Sequence, residues 1–158
     1  MQKITPFLWY DNNAEEAMNL YVSVFKNSQV TGLSRYRQGG QLPEGTMFIG
    51  NVNLDGLELT LMNAGPIFKF TEAISLSVSC ETQEEVDALW ENLSEGGYKG
   101  QCGWIKDKFG LSWQIVPKQL GDFIGGPDPD GAARAMAAML KMQKLDIKGL
   151  EDAYNGID

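Results

Sequence analysis

Residues 4–25, "ITPFLWYDNNAEEAMNLYVSVF", and residues 73–94, "AISLSVSCETQEEVDALWENLS", carry one pattern offset by 69 positions. Such self-similarity constrains a fold more than any single motif, because both copies must satisfy the same burial rules. Each stretch reads as a strand, a polar turn and a helix. Asn13 with Glu16 and Thr82 with Glu85 stand at matching positions as capping pairs. The apolar stripes also coincide: Ala17, Leu20, Tyr21 and Val24 match Val86, Leu89, Trp90 and Leu93. Gly96-Gly97 is a left-handed stop for the second helix.

The remainder of each half is alike as well. After the first helix come "QVTGLSRYR" (29–37) and a hairpin over 47–63, whose Asp55-Gly56 is a strong two-residue turn signal. After the second helix come a short strand at 98–101 and a hairpin over 102–116 that turns at Asp107–Gly110. Each half is therefore expected to be β-α-β-β-β, giving a first module at 1–64, a second at 65–117 and a helical tail at 118–158. The expected class is α+β: two modules in a curved, mostly antiparallel eight-stranded sheet, helices outside, with C-terminal helices added. One helix covers one face of a four-stranded sheet, so the other face is left to line a trough or to meet solvent.

Alternation assigns the faces. Leu59 with Leu61, the set Ile74, Leu76 and Val78, Trp113 with Ile115, and Phe7 with Trp9 are expected under the helices. That leaves Glu58, Thr60, Met62, Ala73, Ser75, Ser77, Ser112, Gln114, Val116, Ile4, Pro6, Leu8 and Tyr10 on the trough side. Gln114 poses a question, since an amide in the oily run "LSWQIVP" needs a partner or a ligand. Between the modules, "GPIFKFTEA" offers Phe68, Phe70 and Glu72 as pocket walls and a carboxylate, or as packing and a solvated acid. Asn63 either fixes a turn or meets a ligand, and Trp104 and Tyr10 either line the pocket or join the core. Lys106 and Asp107, near a turn, are expected to be exposed.

Composition excludes whole chemistries. The 158 residues contain no histidine, which removes Ser-His-Asp and Cys-His catalysis and every His-based metal shell. Cys80 and Cys102 follow no metal-ligand spacing and read as reduced thiols. A net charge of −8 with scattered bases argues against nucleic acid and anionic membranes. No apolar run is long enough to span a bilayer and the N-terminus carries no leader pattern, so a cytoplasmic location is expected.

The paired modules, with "ITPFLWYDNNAEEAMNLYVSVFKNS", "LMNAGPIFKFTEAISLSVSCETQEEVD" and "GQCGWIKDKFGLSWQIVP", resemble the vicinal oxygen chelate superfamily. Its members include glyoxalase I, bleomycin and fosfomycin resistance proteins and extradiol dioxygenases. The closer resemblance is to its PhnB-like branch, often labelled 3-demethylubiquinone-9 3-methyltransferase. Metalloenzymes of that superfamily take one ligand from each of four strands. The resemblance puts Ile4, Glu58, Ala73 and Gln114 at those positions, of which Glu58 alone is ionic. The expectation is a homodimer that binds a small molecule without a metal or other cofactor. Its pocket would be drawn from Tyr10, Glu58, Asn63, Phe68, Phe70, Glu72, Ser75, Trp104 and Gln114. The alternative is a lyase, isomerase or transferase with Glu58 or Glu72 as base. Neither glycine-bearing stretch, 63–66 or 125–136, has the strand-to-helix setting of a doubly wound S-adenosylmethionine site.

Overall fold

Each repeat folds around its own sheet. The structure, a computed structural model, describes residues 1–157, and the chain divides into the units Met1–Phe70 and Thr71–Asp158. The first unit contains β1 (Phe7–Tyr10), α1 (Ala14–Val24), β2 (Ser28–Arg35), β3 (Met47–Leu54) and β4 (Leu57–Asn63). The second contains β5 (Ser75–Cys80), α2 (Gln83–Ser94), β6 (Tyr98–Lys99), β7 (Trp104–Lys106) and β8 (Ser112–Pro117). It continues into α3 (Leu120–Ile124), α4 (Pro129–Met139) and α5 (Ile147–Asn155). The eight strands form two four-stranded sheets, ordered β1-β4-β3-β2 and β5-β8-β7-β6. In both, the first strand pairs in parallel with the last and the other pairs are antiparallel. The class is α+β, with β-α-β-β-β modules and added C-terminal helices.

In the first unit, α1 buries Ala14, Ala17, Met18 and Tyr21, while Leu20 and Val24 are only half-buried. The stripe is thus rotated from the sequence reading toward Met18. Gly50 on β3 makes this possible, because a Cβ there would lie 2.7 Å from the Met18 sulfur. The turn at Asp55-Gly56 forms as expected, with φ of 47° and 97°, the left-handed pair that a two-residue hairpin needs. Arg35 on β2 grips Glu15 of α1 with both guanidinium NH2 groups, at 2.9 and 2.6 Å. That pair holds the Glu15 carboxyl below its ordinary pKa.

The facing of β1 is opposite to the sequence expectation. Leu8 and Tyr10 are buried, and Phe7 is 57% exposed. The cause is register: β1 lies parallel to β4 with Leu8 beside Leu61 and Tyr10 beside Asn63, so it takes its parity from the buried face of β4. Tyr10 therefore belongs to the core, its hydroxyl 3.0 Å from that of Tyr21 on α1.

Asn63 is likewise a core residue, 1% exposed. Asn13 makes no side-chain cap on α1; Asn63 supplies one from 49 residues away. Its Oδ1 accepts the Ala14 N–H at 2.8 Å, and its Nδ2 donates to the Met47 carbonyl at 3.0 Å. One side chain thereby ties a helix start to two strands.

The second unit follows the sequence more closely. Val86, Leu89, Trp90 and Leu93 of α2 are all buried, as are Ile105, Trp113 and Ile115 of the sheet. Ile74 departs from expectation: it precedes β5 and is 60% exposed. Each apolar side chain fully buried is worth about 1.5–3 kcal/mol. An exposed pair such as Lys99–Glu91 is worth at most about 1 kcal/mol, so the stripe holds α2 in place. Thr82 accepts the Glu85 N–H at 3.3 Å, and Glu85 reaches back to the Glu81 N–H at 2.7 Å, one residue beyond the usual capping-box partner. Gly96, with φ of 71°, ends the helix.

Asp107, expected at the surface, is 2% exposed. The short turn folds its carboxylate inward. Oδ1 accepts the N–H groups of Phe109 and Leu111 at 2.9 and 3.0 Å, and Oδ2 accepts the Trp113 indole N–H at 2.9 Å. Gly110, with φ of 92°, closes the turn.

The tail packs on its own second module. Cys102 and Gly103 donate to the Met142 and Gln143 carbonyls, both at 2.8 Å. The Gln83 amide donates to the Leu145 carbonyl at 3.1 Å and accepts from the Ile147 N–H at 2.8 Å. Leu145 is fully buried. Asp128 and Asp146 cap α4 and α5 with their side chains. Helix α3 was not foreseen in the sequence.

Two substitutions test these polar anchors. Asn63→Ala and Asp107→Ala are each expected to cost about 2–4 kcal/mol in urea unfolding, because buried N–H groups lose their acceptors. A loss below about 0.5 kcal/mol in either would show that the anchor is dispensable.

Candidate functional site

The register of the second sheet defines which side chains share its open face. Lys106 stands opposite Ser112, Trp104 opposite Gln114, and Tyr98 opposite Lys106. Ser75 and Ser77 stand beside Ser112 and Gln114 on the parallel side. Trp113, Ile115 and Ile105 take the opposite, buried parity. The open face therefore has a polar floor with two aromatic rings near the short β6 edge.

A cleft of about 340 Å³ opens there, lined by Glu72, Tyr98, Gly100, Trp104, Ile105, Lys106 and Ser112. Lys106 Nζ is 2.7 Å from Glu72 Oε1 and 5.8 Å from the Tyr98 ring centroid. Hydrogen bonding to Lys106 holds the Glu72 carboxyl below its ordinary pKa. Ser112 is 1% exposed, and its hydroxyl has no hydrogen-bond partner among the described residues. The other such atom, Gln119 Oε1, does not line this cleft. The Gln114 amide donates to the Ser75 hydroxyl at 2.9 Å, bridging β8 to β5. That is how an amide is accommodated in an oily strand.

Of the residues nominated from sequence, Glu72, Ser75, Trp104 and Gln114 share the second unit's open face or its cleft. The others lie in the first unit. Tyr10 and Asn63 are core anchors. Phe70 packs edge-on against Tyr10 at 5.1 Å, and Phe68 against Trp9 at 5.0 Å. Glu58 is exposed on β4, its backbone N–H and carbonyl both bound by the side chain of Gln2. Tyr98, Lys106 and Ser112 were not nominated. The usable signal was parity, since Ser112 shares a strand face with Gln114, but the pairing of Lys106 with Ser112 needs the register.

Among the described residues no three His, Cys, Asp or Glu side chains group as metal ligands. The stretch 125–136 runs from the end of α3 into α4, and 63–66 leaves β4 without entering a helix. Neither is a glycine turn between a strand and a helix of a parallel sheet, so the residues do not fit an S-adenosylmethionine site of that kind. Burial pushes the Cys80 thiol up to about 12, leaving it unsuited as a nucleophile. Among the described residues no helix is long and apolar enough to cross a membrane.

Comparison with known proteins places this geometry. A search of curated proteins gives no significant match. The PhnB protein from Bacillus cereus, described as a 3-demethylubiquinone-9 3-methyltransferase, is 38% identical. Its match covers 73% of this chain and 99% of that one, with a TM-score of 0.70. Protein PA1353 from Pseudomonas aeruginosa shares the fold at 16% identity, covering 75% and 98% of the two chains, with a TM-score of 0.64. The fosfomycin resistance protein FosX from Listeria monocytogenes, solved with Mn(II) and sulfate, does so at 12%, covering 77% and 95%, with a TM-score of 0.50. The family profile of 3-demethylubiquinone-9 3-methyltransferase matches residues 2–116, and the chain, with its duplicated modules, belongs to this PhnB-like family.

Proposed function

We propose that the protein binds a small molecule on the open sheet face of its second module, in the cleft between Tyr98, Trp104, Lys106 and Ser112, and does so without a resident metal. The observation that carries this reading is the unpaired Ser112 hydroxyl. Leaving a buried polar group without a partner costs about 1–3 kcal/mol, which alanine would avoid. A hydroxyl kept at that cost beside a cation and two aromatic rings is what a recognition site requires.

The enzyme alternative gains nothing from the geometry. A general base works best with a pKa near the working pH, and Lys106 holds Glu72 in the opposite direction. Glu58 lies in the other unit, exposed. The methyltransferase activity in the family's description is not proposed for this chain, because the glycine stretches do not fit its methyl donor.

Two measurements test the reading. Ser112→Ala is expected to leave urea stability unchanged or raise it by about 1 kcal/mol. A loss of about 2 kcal/mol would show instead that the hydroxyl supports the fold. In ¹⁵N-edited NMR of the full chain, single-ring fragments are expected to shift the Trp104 indole and the Lys106 and Ser112 amides first. Shifts scattered over both units, or none, would contradict a site here.

A further inference from the structure

If the second-module cleft is a ligand site, the charges on its walls select among ligands. Lys106 and Ser112 are cross-strand neighbours on one face, so their Cβ atoms lie about 5 Å apart. The ammonium offers up to three donors and the hydroxyl one. Both lie on hydrogen-bonded strands, and both line the same cleft. Ser112 Oγ is closed to solvent as the cleft stands, so an acceptor that takes a hydrogen from each must enter deeper than the opening.

A carboxylate already stands against Lys106. Glu72 Oε1 sits 2.7 Å from Lys106 Nζ, yet Glu72 precedes β5, outside any strand, with its side chain 66% exposed against 39% for Lys106. It is a tethered anion on the less anchored side of the pair. A ligand carboxylate can replace it while keeping Lys106 paired and releasing Glu72 to water. A cation would have to compete with Lys106 for Glu72 and leave an ammonium unpaired. A neutral ligand would gain only the Ser112 hydroxyl and the rings. The net charge of −8 opposes anions at long range, but salt screens that field beyond about 8 Å, whereas Lys106 acts in contact.

We propose that the cleft takes a small organic carboxylate. Its anionic group replaces that of Glu72 on Lys106 and accepts the Ser112 hydroxyl hydrogen, and its flat apolar part lies along Tyr98 and Trp104. This specificity rests on the binding reading above and can fail separately from it.

Benzoate, benzamide and benzamidine share one ring and nearly one shape but differ in charge. Titrated into the ¹⁵N-labelled full chain at low salt, benzoate is expected to bind about tenfold more tightly than benzamide, with benzamidine weakest. Glu72→Gln removes the internal competitor and should tighten benzoate by about threefold. Lys106→Met should lower benzoate to the level of benzamide. Equal or tighter binding of benzamide or benzamidine at the same signals would overturn the carboxylate preference and leave the site standing. Weaker benzoate binding in Glu72→Gln would also overturn it. No response from Trp104, Lys106 and Ser112 to any of the three would remove the site and this proposal together.

Discussion

One helix per four-stranded sheet is the constraint from which the rest follows. α1 and α2 each seal one face of their sheet with a stripe of buried side chains, and each sheet keeps its second face for something else. In the second module the two faces differ sharply. Ile105, Trp113 and Ile115 lie inside; Lys106, Ser112 and Gln114 alternate with them on the other side. The same pleat that fixes the core therefore sets out the candidate site, and the residues of one cannot be shifted by a position without disrupting the other.

Buried polar contacts add to apolar burial in holding the register of both sheets. Asn63 and Asp107 are buried polar groups with all-internal roles, the first capping a helix from a distant strand and the second pinning a hairpin turn and an indole. Their geometry limits slippage of β4 against β3 and of β8 against β7. Ser112 differs from both, being as buried as they are yet unpaired. That contrast separates polar groups that build the fold from one that the described residues leave without a hydrogen-bond partner.

Much of this was legible in the chain. The repeat, the Asp55-Gly56 turn, the Thr82 cap and the α2 stripe depend on local spacing, which sequence displays directly. The facing of β1 did not emerge, because Phe7, Leu8, Trp9 and Tyr10 are all apolar and offer no alternation; the parity comes from pairing with β4. Asn63 and Asp107 read as ordinary turn residues, since their acceptor roles depend on where the folded chain brings N–H groups. Lys106, too, reads locally as a surface charge. Its meaning rests on facing Ser112 across one strand pair.

The central claim is that the second-module cleft, with its buried Ser112 hydroxyl and its Lys106–Glu72 ion pair, takes a small carboxylate. A crystal structure of the full chain soaked with benzoate tests this most directly. The account predicts the ligand carboxylate within hydrogen-bonding distance of both Lys106 Nζ and Ser112 Oγ, with Glu72 turned out to solvent. A cleft filled by the protein's own side chains, with Ser112 bonded to one of them, would contradict it.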